Sequence, residues 1–407
     1  MNAMGVFAFV LIFGLLNLAC SSAQESPKSF NVLNYGAVGN GITDNSKAFL
    51  EAWKDACSAE TQNSIVIVPR GNIFLVHPIV FSGPCKASKI TFLNLGKIIA
   101  PASPSAWKGL DASQWLAFNG VSGLHITGHG AIDGRGSGWW NQSCRDHQGL
   151  VACTSLAPTA VKLLSCKESS ITDMHFIDSP QAHILIFGCN GIDIKNLLIR
   201  APETSPNTDG VHIQSSHNVF INNTIIGSGD DCVSIGDYTS NVKVTFLRCG
   251  PGHGVSIGSL GKDGNFVQVE NIFVSRVFFN RTTNGARIKT YQVGKGYVRN
   301  VTFEQIKFDS VENPIIIDQN YCLVRGTCKE VQTGVHISDV SFNNMYGTSS
   351  TEIAVNLNCS RSVPCTGILL KSIQLKSANP EQEVTSTCNT AHGNTFGVVQ
   401  PKTCLQV

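Results

Sequence analysis

Three short motifs hold the side chains best suited to acid–base chemistry. They are Asn207-Thr208-Asp209-Gly210-Val211, Gly229-Asp230-Asp231-Cys232-Val233 and Pro251-Gly252-His253-Gly254-Val255. Asp209 to Asp231 is 22 residues, and Asp231 to His253 is again 22. An equal step of this kind stacks the three side chains in a column, if the chain coils once per step with strands about 4.8 Å apart. Carboxylates so crowded cannot all ionise easily, so one of them holds a proton. A protonated carboxylic acid beside ionised ones is the equipment of glycoside hydrolysis: one acid protonates the leaving oxygen and another carboxylate activates water. Further on, Arg287-Ile288-Lys289 places two cations on one face of a strand, opposite to Ile288. The matching outward positions of the preceding strands are Ser234, Gly236, Ser256 and Gly258. Small residues there make a low floor, with acids at one end and cations at another. That is a groove for a chain bearing carboxylates.

Each motif has a blander reading when taken singly. Asn-x-Asp-Gly suits an ordinary turn. Stacked aspartates also suit Ca²⁺, which takes carboxylate oxygens. Arg287 and Lys289 alone would be a solvated strand face. The shared 22-residue register is what sets the group apart.

The elements that must position these residues come from a repeat. The pattern apolar-x-apolar-x-x-apolar-x-apolar starts at Ile192, Val242, Ile272, Val301, Val335 and Ile368, with weaker copies at Ser169 and Val219. The starts lie 23 to 34 residues apart, as in a solenoid. Its period is two, then a break, then two again, which is a pair of short strands meeting at a bend. A third strand falls between copies, at Val211-His212-Ile213, Val233-Ser234-Ile235, Val255-Ser256-Ile257, Arg287-Ile288-Lys289 and Ile315-Ile316-Ile317. The fold class is therefore all-β, a right-handed parallel β-helix in which each coil buries its apolar residues against its neighbours. Asn218, Asn241, Asn271 and Asn300 each precede the first apolar position, as a stacked asparagine ladder requires. Near the N-terminus, Thr43-Asp44-Asn45-Ser46 precedes an i, i+4 stripe of Ala48, Phe49, Ala52, Trp53 and Ala56. This reads as a short helix capping the open end of the solenoid.

Composition agrees. Of 407 residues, 14% are charged and 38 are glycine, and the net charge is +2. Disorder needs low hydrophobicity and high net charge, and a near-neutral chain has no general pull toward nucleic acid. Gly5 to Ala19 is an uninterrupted apolar run followed by small residues. It is too short to span a bilayer comfortably and reads as a secretory signal over residues 1–23. Residues 24–407 then form a single domain, with no membrane association after signal removal. Fourteen cysteines remain, an even number that suits disulfides. Close candidate pairs are Cys144/Cys153, Cys322/Cys328 and Cys359/Cys365, and Cys166 and Cys189 should sit one coil apart within disulfide reach. The segment from about Arg135 to Pro158 interrupts the repeat and reads as a disulfide-tied loop. Five Asn-x-Ser/Thr sequons begin at Asn141, Asn222, Asn280, Asn300 and Asn358.

The ordered set Ser205-to-Gly210, Gly229-to-Cys232, Gly252-His253-Gly254 and Arg287-Ile288-Lys289 resembles the four motifs of the polygalacturonases, glycoside hydrolase family 28. The resemblance covers essentially the whole mature chain. Phe30 to Ala37 and the cysteine-rich C-terminus look like the plant branch, close to the pollen-type enzymes. It implies a secreted cell-wall hydrolase of the 1,4-α-galacturonan of pectin, acting by inversion, monomeric, with no metal and no cofactor. By the same resemblance Asp230 is the general acid, Asp209 and Asp231 activate water, and His253 supports them. Arg287 and Lys289 bind a galacturonate carboxylate, and Tyr321 lines the site. Endo and exo action stay open. A Ca²⁺-dependent pectate lyase and a non-catalytic pectin-binding wall protein are the alternative readings.

Overall fold

The computed structural model describes residues 26–143, 157–322 and 331–406. The expected signal, Cys144, Cys153 and Cys328 lie outside them. The chain winds into a right-handed parallel β-helix. Among the described residues, eleven parallel strands form one sheet, from Ile79–Ser82 to Thr385–Asn389. This sheet carries Val211–Gln214, Val233–Ile235, Val255–Leu260, Asn284–Tyr291 and Asn313–Tyr321 as successive neighbours. A second sheet wraps the other two sides.

The break in the repeat has a backbone cause. In His217–Gly227, Thr239–Cys249, Phe266–Asn280 and Lys295–Val311 the bend falls on Asn223, Phe246, Arg276 and Gln305, all with positive φ. One left-handed residue turns the strand, so apolar side chains on both sides of the bend face inward. The repeat positions from Ile192 to Phe308 are buried accordingly, including Val219, Ile221 and Ile226 of the weak copy. Aromatic rings stack along the axis, with Phe279 over Phe308 at 5.6 Å and Phe303 over Phe342 at 5.5 Å. The asparagine ladder also forms. Asn218 donates to Asn190, Asn241 to Asn218, Asn271 to Asn241 and Asn300 to Asn271, at 2.7 to 3.2 Å.

One copy of the repeat lies in a different phase from the sequence reading. Val301 pairs with Val340 and Phe303 with Phe342, while Ile337 pairs with Val298. The copy therefore starts at Val340, not Val335, and Met345 and Gly347 take its last two positions. The strand here extends before the ladder asparagine, and its extra buried residues, Val298 and Ile337, offer the same alternation five residues early.

The capping helix is Ser46–Ser58, and it buries the predicted stripe together with Cys57. Phe49 meets Phe74 at 5.6 Å and Trp53 meets Phe81 at 5.1 Å, closing the apolar column that an open coil end would expose to water. Cys57–Cys85 ties this helix to the first coils, and Cys232–Cys249, Cys359–Cys365 and Cys388–Cys404 are also bonded. Cys166 and Cys189 do stack one coil apart but remain two buried thiols. Their sulfurs instead approach interior carbonyls, Cys166 to Phe118 at 3.4 Å and Cys189 to Leu163 at 3.3 Å.

Candidate functional site

The site lies on the eleven-stranded sheet, in an open cleft of about 920 Å³. Its acids sit in the turns that enter two neighbouring strands, Val211–Gln214 and Val233–Ile235. The first turn is built by its own hydroxyls. Ser205 Oγ and Thr208 Oγ1 lie 2.6 Å apart, and Thr208 Oγ1 accepts the Gly229 N–H of the next coil at 3.0 Å. Gly229 must be glycine, because a Cβ would overlap the Ser205 carbonyl. The two acidic turns therefore touch through backbone, which fixes the acids close together. The Cys232–Cys249 disulfide anchors the second turn to the far side of the coil.

Strand register is maintained across the floor. Val211 pairs with Val233, and Val233 with Val255, so Asp209, Asp231 and His253 share one register position in successive coils. The side chains choose different partners from the simple column. His253 Nδ1 lies 3.1 Å from Asp230 Oδ1, and the His253 N–H donates to the Asp230 carbonyl at 2.8 Å. Asp231 turns toward the cations. Arg287 Nη2 donates to its Oδ1 at 3.0 Å, and Lys289 Nζ donates to its Oδ2 at 3.0 Å. The cations are thus bound to an acid, not set apart at the far end of the groove. Lys289 also lies over the Tyr321 ring, 5.7 Å from its centroid, and Tyr321 packs edge-on to Tyr291 at 5.2 Å. All seven residues singled out by sequence line this one cleft.

Gly258 explains how Lys289 gets there. The pairing of Val255–Leu260 with Asn284–Tyr291 slips after Ile257. Gly258 has φ of +114°, and a Cβ would overlap the Lys289 carbonyl. Only glycine lets the backbones approach this closely.

The floor is polar as well as low. Ser234 Oγ donates to Asp209 Oδ2 at 2.6 Å, and Ser256 Oγ donates to Asp231 Oδ1 at 2.6 Å. Both serines are buried. Burial pushes the Asp209 carboxyl well above the usual range, and the nearby charges of Asp230 and Asp231 push it further. The sequence pointed to a held proton from crowding alone; here burial is the larger cause and the neighbouring charges add to it. Beneath it, buried His183 donates or accepts only toward backbone: its Nδ1 lies 3.0 Å from the Asp209 carbonyl and its Nε2 accepts the Ser179 N–H at 3.4 Å. Burial drives the His183 ring down to about 4, so it is neutral at ordinary pH.

Asp230, Asp231 and His253 could offer three ligand atoms to a metal, all within 4.8 Å of one another. The donor set fits a cation poorly, because Arg287 and Lys289 already occupy both oxygens of Asp231. Sequence reasoning missed His183, His212, Gln214 and Tyr291. His212 had a signal, since it shares the outward face of its strand with the register position of Arg287. His183 had none, because it precedes an otherwise apolar strand.

The sequence profile of the glycosyl hydrolases family 28 matches residues 57–398. A probable polygalacturonase of Arabidopsis thaliana is 42% identical over 385 residues, covering 95% of this chain and 86% of that protein. A polygalacturonase of Prunus persica is 40% identical, covering 99% of this chain and all of that protein. Among solved structures, an endo-xylogalacturonan hydrolase from Aspergillus tubingensis superposes with a TM-score of 0.76 at 22% identity, covering 91% and 98% of the two chains, which speaks to the fold. With these matches spanning the coils that build the cleft, the chain belongs to the glycosyl hydrolases family 28.

Proposed function

We propose that the protein is a polygalacturonase that hydrolyses the 1,4-α-D-galacturonosiduronic bonds of pectin with inversion, as a secreted enzyme of the plant cell wall. The observation that carries this reading is the set of three aspartates meeting Arg287 and Lys289 in one cleft. Plant relatives at about 40% identity bear the name polygalacturonase, and the family is shared.

Asp230 protonates the glycosidic oxygen as the bond to C1 breaks. Water attacks C1 from the opposite face and gives its proton to Asp209 or Asp231. The proton count balances over one turnover. His253 holds Asp230 Oδ1, which orients the carboxyl toward the leaving oxygen. Arg287 and Lys289 meet a carboxylate of the substrate while remaining bonded to Asp231, and Tyr321 supports Lys289 from the cleft wall. The charges of Asp230 and Asp231 act on the Asp209 carboxyl, so a pH profile reports the cluster and not a single group. Asp209 must be ionised to accept the proton of water, so its raised carboxyl pKa places it on the acid limb of the pH profile.

The test is release of reducing ends from polygalacturonate. Asp230→Asn should lower kcat by about 10²–10⁴-fold while the fold persists. Undiminished activity in that variant would overturn the assignment, as would an unsaturated, ultraviolet-absorbing product. Product sizes over time, a ladder against free galacturonate, separate endo from exo action.

A further inference from the structure

We infer that His212 and Ser234 act as a positioning pair for Asp209, setting the orientation of its carboxyl and the protonation state in which it meets water. This deepens the hydrolase reading and rests on it. Neither residue belongs to the four motifs that singled out the site.

The argument starts from register. His212, Ser234, Ser256 and Arg287 occupy one row across four neighbouring strands. Each points to the same face of the sheet, away from the buried Ile213, Ile235, Ile257 and Ile288. Each serine reaches back to the acid of the preceding coil, Ser234 to Asp209 and Ser256 to Asp231, both at 2.6 Å. The outer members of the row then complete the pattern. Arg287 Nε donates to Ser256 Oγ at 2.8 Å, and His212 Nδ1 lies 2.6 Å from Ser234 Oγ. The same device is therefore built twice. In one copy a guanidinium holds the serine that holds Asp231. In the other an imidazole holds the serine that holds Asp209.

The difference between the copies is chemical. A guanidinium has no acceptor, so Arg287 can only donate and Ser256 can only pass a donor to Asp231. A neutral imidazole can take either role. When Asp209 is ionised, Ser234 spends its single proton on Oδ2 and must accept from His212 Nδ1–H. When Asp209 is protonated, the chain can run the other way, from Asp209 to Ser234 to a bare Nδ1. The pair thus stays bonded in both protonation states, which a fixed donor would not allow. Burial holds the His212 ring below its usual range, so it keeps the neutral form that this needs. The groups that act on it are the Gln214 side chain, the Asp231 and Asp230 carboxylates and the Lys289 ammonium. Asp209 accepts from Ser234 Oγ, whereas Asp231 accepts from Ser256 and from the two cations Arg287 and Lys289.

The test compares Ser234→Ala, Ser234→Thr, His212→Leu and His212→Gln on polygalacturonate, each checked for an unchanged thermal transition and circular dichroism. Ser234→Ala should lower kcat about tenfold to a hundredfold, the loss expected for one hydrogen bond to a charged group, with KM changed less than about twofold. Because the Ser234 hydrogen bond favours the ionised Asp209, its removal should also move the acid limb of the kcat pH profile upward. His212→Leu should do the same, and the double variant should lose no more than either single one. Ser234→Thr and His212→Gln keep a hydroxyl and a donor and should recover most of the rate. Three results would overturn the pair: a pH profile that does not move, a loss in KM alone, or additive losses in the double variant. If Asp230→Asn also retains activity, the failure lies in the hydrolase reading and not in the pair.

Discussion

His183 gives the most quantitative expectation. Its ring is fully buried beneath Asp209, held between the Asp209 carbonyl and the Ser179 N–H, and it titrates at about 4. In the unfolded chain a histidine titrates near 6.5. Between those two pH values the unfolded chain takes up a proton that the folded one refuses, so stability falls as pH falls through this window. From pH 7.5 down to pH 4 the loss from this group alone is about 3 kcal/mol. For a chain of 407 residues the unfolding entropy is about 0.85 kcal/mol/K, so the transition should drop by about 4 °C on this account. His183→Asn puts a non-titrating amide where Nδ1 lies. The variant is less stable at neutral pH because a smaller side chain leaves a cavity, but that cost does not depend on pH. Thermal unfolding of both proteins at half-unit steps from pH 7.5 to pH 4 should therefore show the gap between them shrinking by about 3 kcal/mol. A gap that stays constant within about 0.5 kcal/mol would refute the buried neutral histidine, and with it the account of how the Asp209 backbone is held on acidification.

Two further outcomes follow from the backbone. Gly258→Ala forces a Cβ into the Lys289 carbonyl at a φ of +114°, so Lys289 must retreat from Asp231. The cost should be about 1–3 kcal/mol of stability and a several-fold rise in KM for polygalacturonate, and a wild-type KM would show that the close approach does not set the cation. Asn241→Ala removes one ladder bond to Asn218 and one from Asn271 and leaves alanine at φ +56°. It should lower stability by about 2 kcal/mol with kcat unchanged, and an unaltered thermal transition would mean that the ladder only decorates the bend.

The features legible in the sequence are those that repeat. The 22-residue step from Asp209 to Asp231 to His253 reflects coil length, and coil length fixes register, so the acids could be brought together before any coordinates. The ladder of Asn218, Asn241, Asn271 and Asn300 was readable for the same reason. Where the repeat is over-satisfied, the phase is ambiguous. Val335 and Ile337 continue the apolar alternation, and only strand pairing shows that Val340 matches Val301. Partner choice was not legible at all. Asp231 takes Lys289 beside Arg287 because the strand slips at Gly258, after the Arg287 pairing, and that slip has no periodic trace. Cys166 and Cys189 have the spacing of a disulfide, yet the bond depends on where each sulfur points.

The net charge of +2 says little about a cleft in which the charges are paired locally. Arg287 uses one donor on Ser256 and one on Asp231, which leaves part of its five-donor fork for another acceptor. Lys289 has three donors and gives one to Asp231. On the proposed reading, a uronate carboxylate that enters the cleft joins an existing ion pair and does not meet bare cations. This has a physical advantage. Two unpaired cations in a partly buried floor would carry a large desolvation cost before substrate arrives. Pairing them with Asp231 removes that cost and keeps the cations in place. The same contact ties substrate binding to chemistry, because any movement of Arg287 or Lys289 toward the substrate is felt at Asp231. Asp209 is tuned by burial, by the charges of Asp230 and Asp231 and by a chain of neutral hydroxyl and imidazole groups. Two carboxylates from stacked turns thus acquire different surroundings through the outer members of one row, Arg287 beside Ser256 for Asp231 and His212 beside Ser234 for Asp209.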